Sequence, residues 1–146
     1  MLRAKLLIIL SILILGGGLQ LAQAYPPSGY DVITTSAQIE VYPDTIGGPT
    51  ETIPMVGYAV IWRGDPFDDD GVMTINTRMD TLLMRGWSAV SGDSVFVTLD
   101  RSIVSTGQIT QLTPGIDFPA ESFFDVYYII THGSQPDPLK SSATGG

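Results

Sequence analysis

From residue 33 onward the chain alternates: apolar side chains return at every second position in short runs, and clusters of Gly, Pro and Asp separate the runs. A strand sends successive side chains to opposite faces, so a period of two predicts half-buried strands. Residues 33–42 carry Ala37, Ile39 and Val41 on one side and Ser36, Gln38, Glu40 and Tyr42 on the other. Residues 52–62 are apolar on both sides, with Ile53, Met55, Gly57, Ala59 and Ile61 opposite Val56, Tyr58, Val60 and Trp62. That pattern predicts a central strand packed on both faces. Residues 73–88 continue as strand with a break near Gly86; the Leu82-Leu83-Met84 run suits a helix by composition but has no cap. Residues 95–99, 108–112 and 122–131 complete the set, with turns over 43–49, at Ser91-Gly92-Asp93 and at Thr113-Pro114-Gly115.

Six to eight short strands joined by turns predict an all-β fold, a single antiparallel β-sandwich. The organisation that follows is a leader over 1–24, a Pro/Gly lead-in over 25–31, a sandwich domain over 32–132 and a flexible tail over 133–146. The leader has the three parts of a signal peptide. Arg3 and Lys5 form a positive start, residues 6–15 an apolar run, and Ala22-Gln23-Ala24 a small-x-small cleavage pattern. A signal-peptide helix is expected there, with the mature start near Tyr25. The competing reading is an uncleaved anchor, but residues 6–24 reach spanning length only by including three glycines and two glutamines. Lipid attachment of the bacterial lipoprotein kind is excluded because the chain has no cysteine. The expected location is secreted or cell-surface, extracellular or periplasmic, with no membrane contact after cleavage.

All fifteen acidic residues lie beyond residue 24, whereas Arg3 and Lys5 lie before it; the mature segment therefore keeps five basic residues and a net charge of −10. Nucleic acid is excluded as a partner, since phosphate neutralisation needs clustered Lys and Arg. Attraction to an anionic membrane surface is disfavoured for the same reason. With no cysteine, thiol catalysis, zinc–thiolate sites and disulfide stapling are also excluded. Stability must come from packing, bound cations or association.

Residues 118–128 read Phe-Pro-Ala-Glu-Ser-Phe-Phe-Asp-Val-Tyr-Tyr, and an Asp/Gly loop, Asp68-Asp69-Asp70-Gly71, lies some fifty residues earlier. In both features the chain resembles a family of secreted β domains of environmental bacteria. Those domains end in a Pro-x-x-Ser-Phe-Phe-Asp-Val-aromatic strand. The similarity covers about residues 32–138. It implies a secreted β module and carries no catalytic residue across.

Five groups of residues bear on function. Asp65, Asp68 and Asp70 supply hard oxygen donors for Ca2+ in a loop that fails the EF-hand template, because Pro66 and Thr77 stand where ligands belong. The alternative for them is a solvated acidic turn. Arg63-Gly64-Asp65 spells an integrin-type tripeptide that also makes an ordinary turn. His132, the only histidine, has no nucleophile-elbow motif to serve, and no carboxylate pair marks a glycosidase cleft. Trp62 and Trp87, with Tyr58, Tyr127 and Tyr128, offer rings on which sugar faces stack, against the alternative that they fill the core. Phe124, Val126, Tyr128 and Ile130 form one apolar stripe suited to the core. No certain cofactor follows. The expectation is a non-catalytic structural or interaction module whose partners are itself through strand edges, other surface proteins or glycans. Its alternatives are a carbohydrate-binding module, calcium-stabilised, and a small secreted hydrolase.

Overall fold

The computed structural model describes residues 3–9, 25–42, 50–136 and 138, and all nine strands among them join one antiparallel sheet. The strands are β1 (Arg3–Ile9), β2 (Gly29–Tyr42), β3 (Glu51–Arg63), β4 (Phe67–Asp69), β5 (Val72–Ser88), β6 (Asp93–Leu99), β7 (Ser105–Thr113), β8 (Ile116–Asp125) and β9 (Tyr128–His132). No described residue is helical.

The registers reduce this list to a meander of long, interrupted strands. β5 pairs β3 and β4 along one side, and β6 and β7 along the other. β7 and β6 in turn pair β8 and β9. Thus β3–β4, β6–β7 and β8–β9 each behave as one strand broken in the middle. The β6–β7 and β8–β9 breaks coincide beside Asp80 and Thr81 of β5, where the register against β3 shifts between Val60 and Ile61, whereas the β3–β4 break lies opposite Ile75 and Asn76. Arg101, in the β6–β7 break, clamps that point by donating to the Asp80 carbonyl at 2.5 Å and to Thr81 Oγ1 at 3.4 Å. A bulge adds a residue to one strand only, and it bends the sheet.

The bend lets a single sheet enclose its own core. Ile39, Ile53, Met55, Ala59, Leu82, Met84, Val95 and Val97 lie on the inner face and are almost wholly buried. Burying a side chain of this size contributes roughly 1.5–3 kcal/mol. Ile33 and Val41 from β2, and Phe124, Val126, Tyr128 and Ile130 from the far side, pack against the same cluster. The apolar stripe read at 124–130 is therefore a core stripe, half-buried, and it keeps its parity across the β8–β9 break.

The all-β, antiparallel expectation holds, but its finer points need correction. Hydrogen bonding joins one open sheet rather than two separate facing sheets. β3 is buried on one face only: Val56, on its outer face, is 66 % exposed. Among the described residues no second layer lies over that face, and Val56 and Tyr58 remain at the surface. β5 runs unbroken through Gly86. A Cβ there would stand 2.4 Å from Met55 Sδ, so the glycine permits close strand contact. The expected strand over 122–131 is two strands, and the expected loop over 63–71 contains β4. Within the expected leader helix, Arg3–Ile9 stands as β1 against β2. The rest of the leader with its cleavage pattern, the turn over 43–49, residue 137 and the tail beyond 138 lie outside the described residues.

Two turns hold the end of the sheet that carries the site. Asp69 pairs Val72, so Asp70 and Gly71 alone close the β4–β5 hairpin. Their φ values of 52° and 86° are those of a type I′ turn, which matches strand twist and favours Asp-Gly. Thr113 pairs Ile116 around Pro114-Gly115, with Gly115 at φ 76°, the proline-glycine order of a type II turn.

Candidate functional site

The outer face of the β3–β5–β7–β8 quarter carries a groove of about 500 Å³. Register builds it row by row. Trp62 of β3 stands beside Arg78 of β5, then Thr106 of β7, then Asp125 of β8. In the next row Asn76 stands beside Gln108 and then Phe123. Trp62, Asn76, Arg78, Thr106, Gln108 and Phe123 all line the cavity. Gln108 Nε2 donates to Asn76 Oδ1 at 3.0 Å, which locks the two amides into one polar strip. Phe123 is 55 % exposed, a large apolar ring left uncovered beside that strip.

The groove contains one cation, already engaged. Arg78 Nε donates to Asp80 Oδ1 at 2.6 Å and its Nη2 to Oδ2 at 3.2 Å. Its Cζ lies 5.2 Å from the Trp62 ring centroid, a cation–π distance. The hydrogen bond from Arg78 holds the Asp80 carboxyl below its ordinary range, and Tyr30 adds a smaller hydrogen bond in the same direction. Asp80 correspondingly raises Arg78. The arginine is thus a neutralised plate over one face of Trp62 and a poor receptor for an anion.

Glu121 and Asp125 flank Phe123 on the exposed face of β8. Four residues of strand separate them, roughly 13 Å at the usual rise. Glycosidase carboxylates stand about 5–9.5 Å apart, so this pair does not frame a scissile bond. The remaining lining consists of amides, hydroxyls, rings and the paired arginine.

The acidic loop is used structurally. Asp65 Oδ1 accepts the Ser28 amide at 2.9 Å, and the Asp68 carboxylate accepts the Gly71 amide at 2.8 Å. Asp70 occupies the left-handed position of the turn. Among the described residues, no three His, Asp or Glu side chains gather closely enough to hold a metal ion, so Asp65, Asp68 and Asp70 are not brought together. In the Arg63-Gly64-Asp65 tripeptide the arginine is engaged within the chain: Arg63 pairs Asp31 and donates to the Pro27 carbonyl at 3.2 Å. With the Asp65–Ser28 bond, it straps the lead-in onto the sheet.

Trp62 belongs to the groove, whereas Trp87 lies at the other end of β5 and is 58 % exposed. From Arg78, beside Trp62, to Trp87 is roughly 30 Å of strand, so the two indoles do not share a platform. His132 is exposed and pairs Val95, roughly 20 Å along the sheet from Asp125, and no triad forms there. Asn76, Arg78, Gln108 and Phe123 were not legible as a site. Phe123 alone had a signal: if Phe124 and Val126 face the core, parity sends Phe123 outward. Among the described residues no helix is long and apolar enough to cross a membrane. Comparison with known protein families, curated proteins and solved structures finds no match.

Proposed function

We propose that this chain is an exported, non-catalytic interaction module that holds a neutral carbohydrate in the Trp62–Phe123 groove. Export rests on the leader, and a secreted β module is also what the resemblance at 118–128 implies. The observation that carries the ligand class is the Asn76–Gln108 amide pair seated between two aromatic rings. Amides give and take hydrogen bonds with vicinal hydroxyls, and rings accept the C–H face of a sugar. A volume of this size suits a small ligand held by a few placed polar groups. Charge selects against anions, because Arg78 is spent on Asp80 and Glu121 and Asp125 guard the rim.

The test is a panel of neutral and acidic oligosaccharides titrated against the exported protein by calorimetry. Neutral glycans are expected to bind, with Phe123→Ala and Gln108→Ala each weakening them about tenfold, near 1.4 kcal/mol. Trp87→Ala is expected to leave affinity unchanged. Binding that survives both groove substitutions, or that prefers acidic glycans, would remove the reading.

A further inference from the structure

The edge of β2 carries a second binding surface, independent of the groove. β1 lies along residues 36–42 of that edge in seven antiparallel pairs, from Arg3 opposite Tyr42 to Ile9 opposite Ser36. These seven β1 residues fall within the leader. Cleavage after Ala24 would strip them away and leave one side of residues 36–42 without a backbone partner among the described residues. Proteins blunt such edges with Pro, Lys, bulges or interruptions. The opposite edge of the sheet is treated in this way, since β8 and β9 are broken at Val126 and Tyr127. Residues 36–42, Ser-Ala-Gln-Ile-Glu-Val-Tyr, have no Pro, Lys or interruption, and Glu40 is their one charge.

The strand seated there says what fits. In β1 the residues opposite inner-face Val41, Ile39 and Ala37 are Ala4, Leu6 and Ile8. A second copy of 36–42, laid antiparallel about Ile39, presents Ala37, Ile39 and Val41 at those three positions. The apolar pattern Ala-x-Leu-x-Ile is replaced by Ala-x-Ile-x-Val. On the outer face Gln38 then stands opposite Glu40 and Ser36 opposite Tyr42, with no like charges facing. Pro43 follows at once and has no N–H to extend the ladder, so it closes at seven pairs, three on each side of the Ile39 pair on the two-fold axis.

We infer that β1 is a placeholder for a second copy of this chain, and that removal of the leader lets two copies join edge to edge through residues 36–42. The contact is isologous and self-closing, giving a dimer with one continuous sheet and no fibre. Before cleavage the same edge is occupied, so dimerisation is tied to export.

The experiment uses the full-length gene expressed with export, the mass of the product read by mass spectrometry, and its oligomeric state followed by sedimentation velocity over a hundredfold concentration range. The product lacking residues 1–24 is expected as a concentration-dependent dimer. Because the chain has no cysteine, single Gln38→Cys and Glu40→Cys proteins report register directly. Mixed, they are expected to form the 38–40 disulfide well in excess of either self-pair. Both positions are exposed, so folding is not at stake. The double variant Gln38→Lys/Glu40→Lys places like charges opposite each other and is expected to raise the dimer dissociation constant at least tenfold. Gln38→Lys alone faces Glu40 and is expected to keep the dimer. A product that retains residues 1–24 overturns the proposal, since the seat is never vacated. A cleaved product that stays monomeric, or a dimer indifferent to the lysine pair and without preferred 38–40 cross-linking, overturns it as well.

Discussion

The two ends of β5 are built to different rules. Its C-terminal end, with the adjoining parts of β2, β3 and β6, is an apolar assembly in which Ile39, Ile53, Met84 and Val97 are at most 1 % exposed. Its N-terminal end, with β4, β7 and β8, buries Thr74, Thr77, Ser105 and Gln111 beside Ile75, and turns an amide strip and two rings outward. One end obtains its stability from burial. The other is held by tight turns and by the Arg101 clamp at the bend, and leaves Phe123 and its amide strip uncovered. The bend at Asp80–Thr81 divides the two and keeps them in one sheet.

The largest effect that would break this contrast is at Gly57. A Cβ there would stand 1.9 Å from the Leu83 carbonyl oxygen, backbone that cannot move aside. Gly57→Val is expected to abolish folding, seen as loss of the β-sheet circular dichroism signal and of soluble protein. Next, Met84→Ala in the apolar end is expected to cost about 3 kcal/mol in urea unfolding, the range for deleting a fully buried side chain being about 2–5. Thr77 sharpens the contrast from the other side. Its buried hydroxyl has no hydrogen-bond partner. Thr77→Val keeps the shape and removes an orphaned polar group, so a gain of about 1 kcal/mol is expected. A loss would mean that the polar end depends on that hydroxyl.

The smallest effect concerns acid. Glu51 accepts hydrogen bonds from Ser88 Oγ and the Ala89 amide, both at 2.6 Å, and so ties the β5–β6 turn to the start of β3. The bond from Ser88 is the main reason its carboxyl titrates below the ordinary range. A depressed carboxylate contributes stability above its unfolded pKa, about 4.3, and that contribution is lost as pH falls through the folded value. Glu51→Gln is therefore expected to lower stability at neutral pH and to flatten its decline below pH 5, measured as the urea midpoint against pH. An unchanged slope would mean the turn is held without this charge.

Much of the apolar end was legible in the chain, and little of the site was. Alternation at Ala37, Ile39 and Val41 fixes the inner face of β2 because core burial obeys a period of two. The double-apolar pattern of 52–62 suggested a strand covered on both sides. The structure leaves Val56 and Tyr58 uncovered, since sequence period reports hydrophobicity and not the number of layers. The groove was hidden for a topological reason. Asn76, Gln108 and Phe123 lie far apart in the chain and meet only because β7 pairs the first half of β5 and β8 pairs β7. The acidic loop draws attention by composition, yet the carboxylates of Asp65 and Asp68 go to the Ser28 and Gly71 amides.

The chain's two tryptophans report on the two ends separately, Trp62 in the groove and Trp87 at the far end of β5. The most direct test of the proposed division between holding the fold and reading a ligand is therefore an indole N–H spectrum of the 15N-labelled protein during titration with a neutral oligosaccharide. The account predicts that the Trp62 indole resonance shifts and saturates while that of Trp87 stays in place. Movement of Trp87 with Trp62 fixed, or equal movement of both, would contradict it.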